Sequence, residues 1–181
     1  MDPLKNITVL VGLGNPGTKY RYTYHNVGRL IADYLASDVS FSSYRNFSYC
    51  RLDRLTIVKT ETFMNESGAA VSAALSFLNA SPTNLLLIHD DSDQTLGRSK
   101  IVSGGSAGGH HGVESVLAAL GLDAFPRFKV GIRPPLSPGR PRPRAEEFVL
   151  KKIPLADRAV IYRSGDSLIK KLKLNDTRSP M

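Results

Sequence analysis

A chain of 181 residues with 41% hydrophobic content is long enough for one core that buries about 70% of the surface exposed when unfolded, so a single domain over residues 1–181 is expected. No run approaches the roughly 18 apolar residues of a membrane-spanning helix, and Met1-Asp2-Pro3-Leu4-Lys5 lacks a signal peptide's apolar core or an Arg-rich presequence, so a soluble, unprocessed, intracellular protein without membrane contact is expected. The net charge of +8 is segregated: residues 1–125 hold 10 Lys/Arg against 11 Asp/Glu, residues 126–181 hold 14 against 5, and a +9 segment predicts a polyanionic partner such as a nucleic acid.

In chain order, Val/Ile/Leu-rich runs at Ile7 to Val11, Leu55 to Val58, Leu85 to Ile88 and Phe128 to Ile132 are too short for helices and read as buried strands. Between them, Val27, Leu30, Ile31 and Leu35 repeat at helical spacing, as do Val71, Leu75 and Phe77 to Leu78, and Val113, Val116, Leu117 and Leu120. Gly121 is placed as a helix C-terminal cap. Strands alternating with helices predict an α/β class: a mostly parallel twisted sheet with helices on both faces, mixed if hairpins occur early and late. Gly104 to Gly112 is glycine-rich, and Pro134 to Arg144 is a Pro/Arg-rich loop that forms neither helix nor central strand. Cys50 is alone and reads as a small buried hydrophobe.

Each distinctive polar cluster follows a predicted strand: Gly12 to His25, Thr60 to Asn65 and His89 to Asp93. In α/β sheets the carboxyl ends of strands open into the ligand crevice, so one shared site is expected there. Within it His25 and Asp90 are the natural acid/base pair, because an imidazole titrates near neutrality and a carboxylate on its far nitrogen fixes the tautomer. Asn15 and Asn65 offer amides that can orient an ester and its peptide units. Bland roles stand beside each: a histidine opening a helix, an aspartate in a turn, Asn15 in a Gly-Asn-Pro-Gly turn and Asn65 as an N-cap.

Three motifs are set aside. Gly12 to Gly17 satisfies GxGxxG, but the next helix is delayed to about Asn26 and no acid ends a second strand. Gly104-Gly105-Ser106-Ala107-Gly108 satisfies GxSxG, but no later histidine can return to Ser106. Adjacent His110 and His111 lack metal-ligand spacing, and no metal is expected.

Val11-Gly12-Leu13-Gly14-Asn15-Pro16-Gly17 with Tyr20 and Thr23-Tyr24-His25-Asn26-Val27-Gly28, then Thr62-Phe63-Met64-Asn65-Glu66-Ser67-Gly68, His89-Asp90-Asp91, Gly97, Gly105 to Gly112 and Pro126-Arg127 through Gly131-Ile132, together resemble the bacterial-type peptidyl-tRNA hydrolases in order and spacing. The resemblance implies a monomeric, cofactor-free enzyme that cleaves the ester between a peptide and the 3′ end of tRNA, in the cytoplasm, or in mitochondria if the cell is eukaryotic. It implies His25 as base, Asp90 as its supporting carboxylate, Asn15 as the residue that tells blocked from free aminoacyl groups, and Asn65, Tyr20 and Phe63 as substrate- and tRNA-end-binding residues. Two departures follow. His111 stands in the place of a substrate-binding, water-orienting asparagine, which implies pH-dependent binding and reduced activity. Tyr24 stands where an arginine usually precedes the histidine. An RNA-binding protein on the same scaffold that has lost turnover, similar to a plant organellar splicing factor, is the rival expectation; a small-molecule esterase leaves the +9 segment unexplained.

Overall fold

The computed structural model describes residues 4–135 and 143–174. Seven strands and four helices follow in the order β1 (Val9–Gly12), α1 (Val27–Ala36), β2 (Ser42–Tyr44), β3 (Phe47–Leu52), β4 (Leu55–Thr60), α2 (Ser67–Phe77), β5 (Leu85–Thr95), β6 (Ser99–Ser103), α3 (His111–Leu120), β7 (Pro126–Arg133) and α4 (Leu155–Leu172). They build one sheet in the order β2-β3-β4-β1-β5-β7-β6. The central pairs β4–β1, β1–β5 and β5–β7 are parallel, whereas β2 and β3 at one edge and β6 at the other run antiparallel. The sheet is mixed and mostly parallel, as expected, in three layers.

Alternation along the central strands divides the core. Leu10, Ile57, Leu86, Ile88 and Phe128 face one helical layer with Ile31, Ile161 and Leu168, while Val9, Val11, Val58, Leu85 and Leu87 face the other with Val71, Val113 and Val116. Each such side chain taken out of water contributes about 1.5–3 kcal/mol before entropy is counted, and burial on both faces is what holds a parallel sheet together. No described helix is long and apolar enough to cross a membrane.

Four predicted strands and three predicted helices are present, with Gly121 in the left-handed conformation at φ 64° closing α3. The first strand starts at Val9, two residues later than expected. Residues 89 to 93 continue β5, so Asp90 is a strand residue and not a turn residue. The short strands β2 and β6 carry too many exposed or half-exposed polar positions for an apolar-run criterion, and in β3 Ser48 and Arg51 interrupt the apolar residues. The 18-residue helix α4 buries only a narrow stripe, Ile161, Ser164, Gly165, Leu168, Ile169 and Leu172. Of the Pro/Arg-rich stretch, residues 136–142 lie outside the described residues.

One glycine sets the relation of α1 to the sheet. A Cβ on Gly28 would stand 2.3 Å from the Ile88 carbonyl oxygen and 2.6 Å from Leu13 backbone atoms. Only glycine lets the first turn of α1 rest on the ends of β1 and β5, and that contact carries the preceding His25 toward Asp90.

Candidate active site

Strand β1 stops at Gly12, paired with Ile88, so β5 projects past it with His89, Asp90 and Asp91. The chain leaves β1 toward one side of the sheet and β5 toward the other, which opens a crevice at their carboxyl ends. A cavity of about 420 Å³ occupies it, lined among others by His25, Asp90, Ala107, His110, His111 and Val149.

His25 sits in a 3-10 turn, Tyr24–Asn26, directly before α1. Its backbone N–H donates to the Val149 carbonyl at 2.8 Å, and Arg29 N–H donates to Leu13 O at 3.0 Å. Held at both ends, the imidazole points Nδ1 at Asp90, 3.1 Å from Oδ1 and 3.0 Å from Oδ2. A carboxylate only accepts, so Nδ1 carries the proton and Nε2 keeps a lone pair free. Burial by itself disfavours the imidazolium; the Asp90 charge and its hydrogen bond outweigh this, and the His25 pKa is raised above its ordinary value.

Asp90 is 4% exposed. Burial alone would favour its neutral acid, but the imidazoles of His25 and His110 hold its carboxyl well below the usual range, so it stays ionised. His110 is the second partner: its Nε2 lies 2.9 Å from Asp90 Oδ1. As N-cap of α3, the His110 ring accepts at Nδ1 from Gly112 N–H at 3.2 Å and Val113 N–H at 3.3 Å. A ring that accepts at Nδ1 has its proton on Nε2, so His110 is a neutral donor to Asp90. His25 Nδ1, Asp90 and His110 Nε2 lie close enough together to suggest a cation site. The hydrogen bonds instead direct an N–H from each ring at the carboxylate, leaving no ring lone pair there for an ion.

The neighbouring acid and histidine are committed to structure. Asp91 accepts from Asp93 N–H at 2.9 Å and Gln94 Nε2 at 2.8 Å, and pairs with Lys129 Nζ at 2.9 Å. His89 donates through Nδ1 to the Asp90 carbonyl at 2.7 Å. Complete burial, followed by the nearby His110, pushes its pKa down to about 3.

Asn15 is buried, and its amide orientation follows from its partners. Oδ1 accepts from Met64 N–H at 2.8 Å, while the Asn26 side chain clamps the Asn15 backbone with bonds of 2.9 and 2.8 Å. The Oδ1 acceptor is therefore occupied and Nδ2 is left to donate. Asn65 lies exposed in a 3-10 turn, and Glu66 rather than Asn65 occupies the N-cap position of α2, which removes the capping explanation. Phe63 is 54% exposed and meets Tyr20 edge-on with centroids 6.3 Å apart.

The structure gathers His25 and Asp90 in one hydrogen-bonded set, while Asn15 lines an adjoining cavity with Asn26 and Arg29 and Tyr20 and Phe63 meet each other. His111 stays outside that set: its side chain is 75% exposed at the crevice mouth, with Nδ1 3.1 Å from Glu114 Oε2. Tyr24, the other departure, donates its hydroxyl to Asp157 Oδ2 at 2.7 Å and packs edge-on against Phe148, which fastens α4. Cys50 is buried, and burial pushes its thiol up to about 11, in keeping with an inert role. Ser106 contributes its carbonyl to Arg127 Nη1 at 2.9 Å.

Two features escaped the sequence reading. His110, set aside with His111, has its part in the site disclosed only by tertiary contact. The +9 segment is partly spent inside the fold: Arg127, 2% exposed, donates to the Gly104, Gly105 and Ser106 carbonyls, Arg133 is buried against Ser92 O and Lys129 neutralises Asp91.

The family model described as peptidyl-tRNA hydrolase matches residues 9–177. Among solved structures, the peptidyl-tRNA hydrolase of Acinetobacter baumannii is similar at 28% identity with a TM-score of 0.78, over 93% of this chain and 87% of that one. A point mutant of that enzyme and a complex of a peptidyl-tRNA hydrolase with N-propanol match with the same values. By the extent of that match and the shared fold, the chain belongs to the peptidyl-tRNA hydrolase family.

Proposed function

We propose that this protein hydrolyses the ester joining a peptide or N-blocked amino acid to the 3′ end of tRNA, with His25 as general base. The observation that carries this reading is the buried Asp90 carboxylate on His25 Nδ1, which leaves Nε2 as a lone pair at the crevice. A water held there loses a proton to Nε2 as its oxygen attacks the ester carbonyl. Asn15 Nδ2 donates to the oxyanion that develops. The imidazolium, stabilised by Asp90, then returns the proton to the departing ribose oxygen, releasing tRNA with a free 3′ hydroxyl and a peptide carboxylic acid that loses its remaining proton to solvent.

Asn65 binds the peptide units in this scheme, Phe63 and Tyr20 receive the aromatic faces of the tRNA end, and His111 contacts substrate at the mouth. No cofactor enters any step. The enzyme acts as a monomer where translation releases its substrate, in the cytoplasm or, in a eukaryotic cell, in mitochondria. The rival reading, RNA binding without turnover, rests on His111 and Tyr24, whose side chains bond to Glu114 and Asp157 and not to Asp90. The test is release from N-acetyl-aminoacyl-tRNA compared with unblocked aminoacyl-tRNA: only the blocked form is cleaved, and His25→Ala lowers turnover by about 10² to 10⁴ with RNA affinity retained. A His25→Ala protein as fast as wild type refutes the assignment.

A further inference from the structure

Two segments distant in sequence meet beside the crevice, to whose lining they contribute His25 and Val149. Thr23 and Lys152 make an isolated antiparallel bridge, reinforced by Ile153 N–H to Tyr22 O at 2.8 Å, His25 N–H to Val149 O at 2.8 Å and Tyr24 N–H to Lys151 O at 3.3 Å. The pairing sets Lys19 and Arg21 beside Lys151 and Lys152, all four exposed. The Lys152 ammonium donates to the Lys19 carbonyl, and among the described residues none of the four is ion-paired with a carboxylate. Arg21 and Arg158 flank the Tyr22 ring at 5.2 and 4.4 Å. Residues 18–25 and 149–158 thus carry Lys19, Arg21, Lys151, Lys152 and Arg158 against the single acid Asp157, whose carboxylate is bound by the Tyr24 hydroxyl.

The lining of the crevice itself carries no such excess of positive charge. Asp91, Asp93 and Glu146 line it; Lys129 is matched to Asp91, and Arg144 lies near Glu146 and Glu147 at 3.7 and 4.0 Å. A polyanion attached to an ester beside His25 must leave across one side, and the electrostatic difference between the basic segments and the lining chooses it. The basic rim also adjoins the aromatic pair: the Lys19 ammonium lies 5.5 Å from the centre of the Tyr20 ring, which in turn meets Phe63. Stacking faces followed by unpaired cations are what a single nucleic-acid strand requires.

We propose that Lys19, Arg21 and Lys151, with Lys152 held beside them, form the phosphate-binding rim over which the tRNA strand leaves the catalytic crevice, in preference to the charge-balanced lining of Asp91, Lys129 and Glu146. This rests on the function proposed above. It joins two cations from the charge-balanced part of the chain to two from the basic third.

The test is the triple variant Lys19→Gln, Arg21→Gln, Lys151→Gln assayed against N-acetyl-aminoacyl-tRNA over a series of salt concentrations, with N-acetyl-aminoacyl adenosine as a phosphate-free ester. On tRNA the variant's KM rises about tenfold at low salt and its log–log salt slope falls by about 2, at roughly 0.7 per single-strand phosphate contact. On the adenosine ester it matches wild type. An unchanged salt slope on tRNA overturns the rim, as does an equal loss on both substrates, and so does a variant that loses affinity for phosphatidylserine vesicles while its RNA slope stays put. If wild type fails to cleave blocked aminoacyl-tRNA, the proposed function fails instead, and the rim is then judged by the salt slope of tRNA binding alone.

Discussion

His110 Nε2 lies 2.9 Å from Asp90 Oδ1, the carboxylate that also aligns His25, and the two rings stand 4.7 Å apart. One buried charge therefore serves two imidazoles. His110→Ala removes a donor to Asp90 and the acceptor for two amides of α3, at a cost of about 1–3 kcal/mol. With less of its charge satisfied, Asp90 draws a proton onto His25 more strongly. Chemical denaturation will read the loss, and the acid limb of kcat/KM against pH will move upward.

The wild-type pH profile carries its own sign. His25 works as a base only when neutral, and its pKa is raised, so kcat/KM falls as pH drops through a value above the roughly 6.5 of an ordinary histidine. For stability, a raised pKa means that the His25–Asp90 pair contributes fully below that ordinary value, and the contribution is lost as pH rises through the folded one. Asp90→Asn removes the charge while burial remains, so the acid limb shifts to lower pH and the plateau drops by about 10² to 10⁴. A limb that stays in place in this variant assigns the ionisation to another group.

Asn15 permits a separation of donor from scaffold. Asn15→Asp keeps an oxygen for Met64 N–H but loses the Nδ2 donor and sets a negative charge near the developing oxyanion. The expected fall in kcat is about 10² to 10³. Circular dichroism and thermal unfolding should resemble wild type, because the link to Met64 survives.

His89 makes acid stability depend on one buried ring. Its folded pKa, about 3, is below that of the unfolded chain, so between pH 6.5 and about 3 the unfolded state binds a proton that the folded state refuses. Stability therefore falls with decreasing pH across that window, by up to about 1.4 kcal/mol per pH unit from this residue. His89→Asn, whose amide can still donate to the Asp90 carbonyl, should flatten the slope in urea denaturation series at stepped pH. An equal slope in the variant removes His89 from that account.

Much of the architecture was legible in one dimension because burial imposes a period. Strands β1, β4, β5 and β7 are covered on both faces and read as apolar-rich runs, interrupted by Thr56 in β4 and by Lys129 and Gly131 in β7, and α1 to α3 show apolar positions at 3 and 4. Elements with one solvated face hid from the same criterion: β6 has every position exposed or half-exposed, and α4 hides its buried stripe among charges. His25, Asp90 and Asn15 were legible through their place after strand signals and through the family's ordered motifs. The continuation of β5 to Thr95 was not, since its polar end is extended by register with β7 and not by its own hydrophobicity.

What the chain determines locally is residue type, period and the sum of charges. Which nitrogen carries a proton is decided between elements: the amides at the start of α3 make His110 a donor, and the contact made possible by Gly28 turns a helix-opening histidine toward a carboxylate 65 residues away. The charge excess illustrates the same division. Composition alone placed it in residues 126–181, while folding withdrew Arg127, Lys129 and Arg133 into bonds and the Thr23–Lys152 bridge added Lys19 and Arg21 to the outward set. Hydrogen-bond satisfaction and electrostatic fields depend on distance in space, so only tertiary structure could decide them.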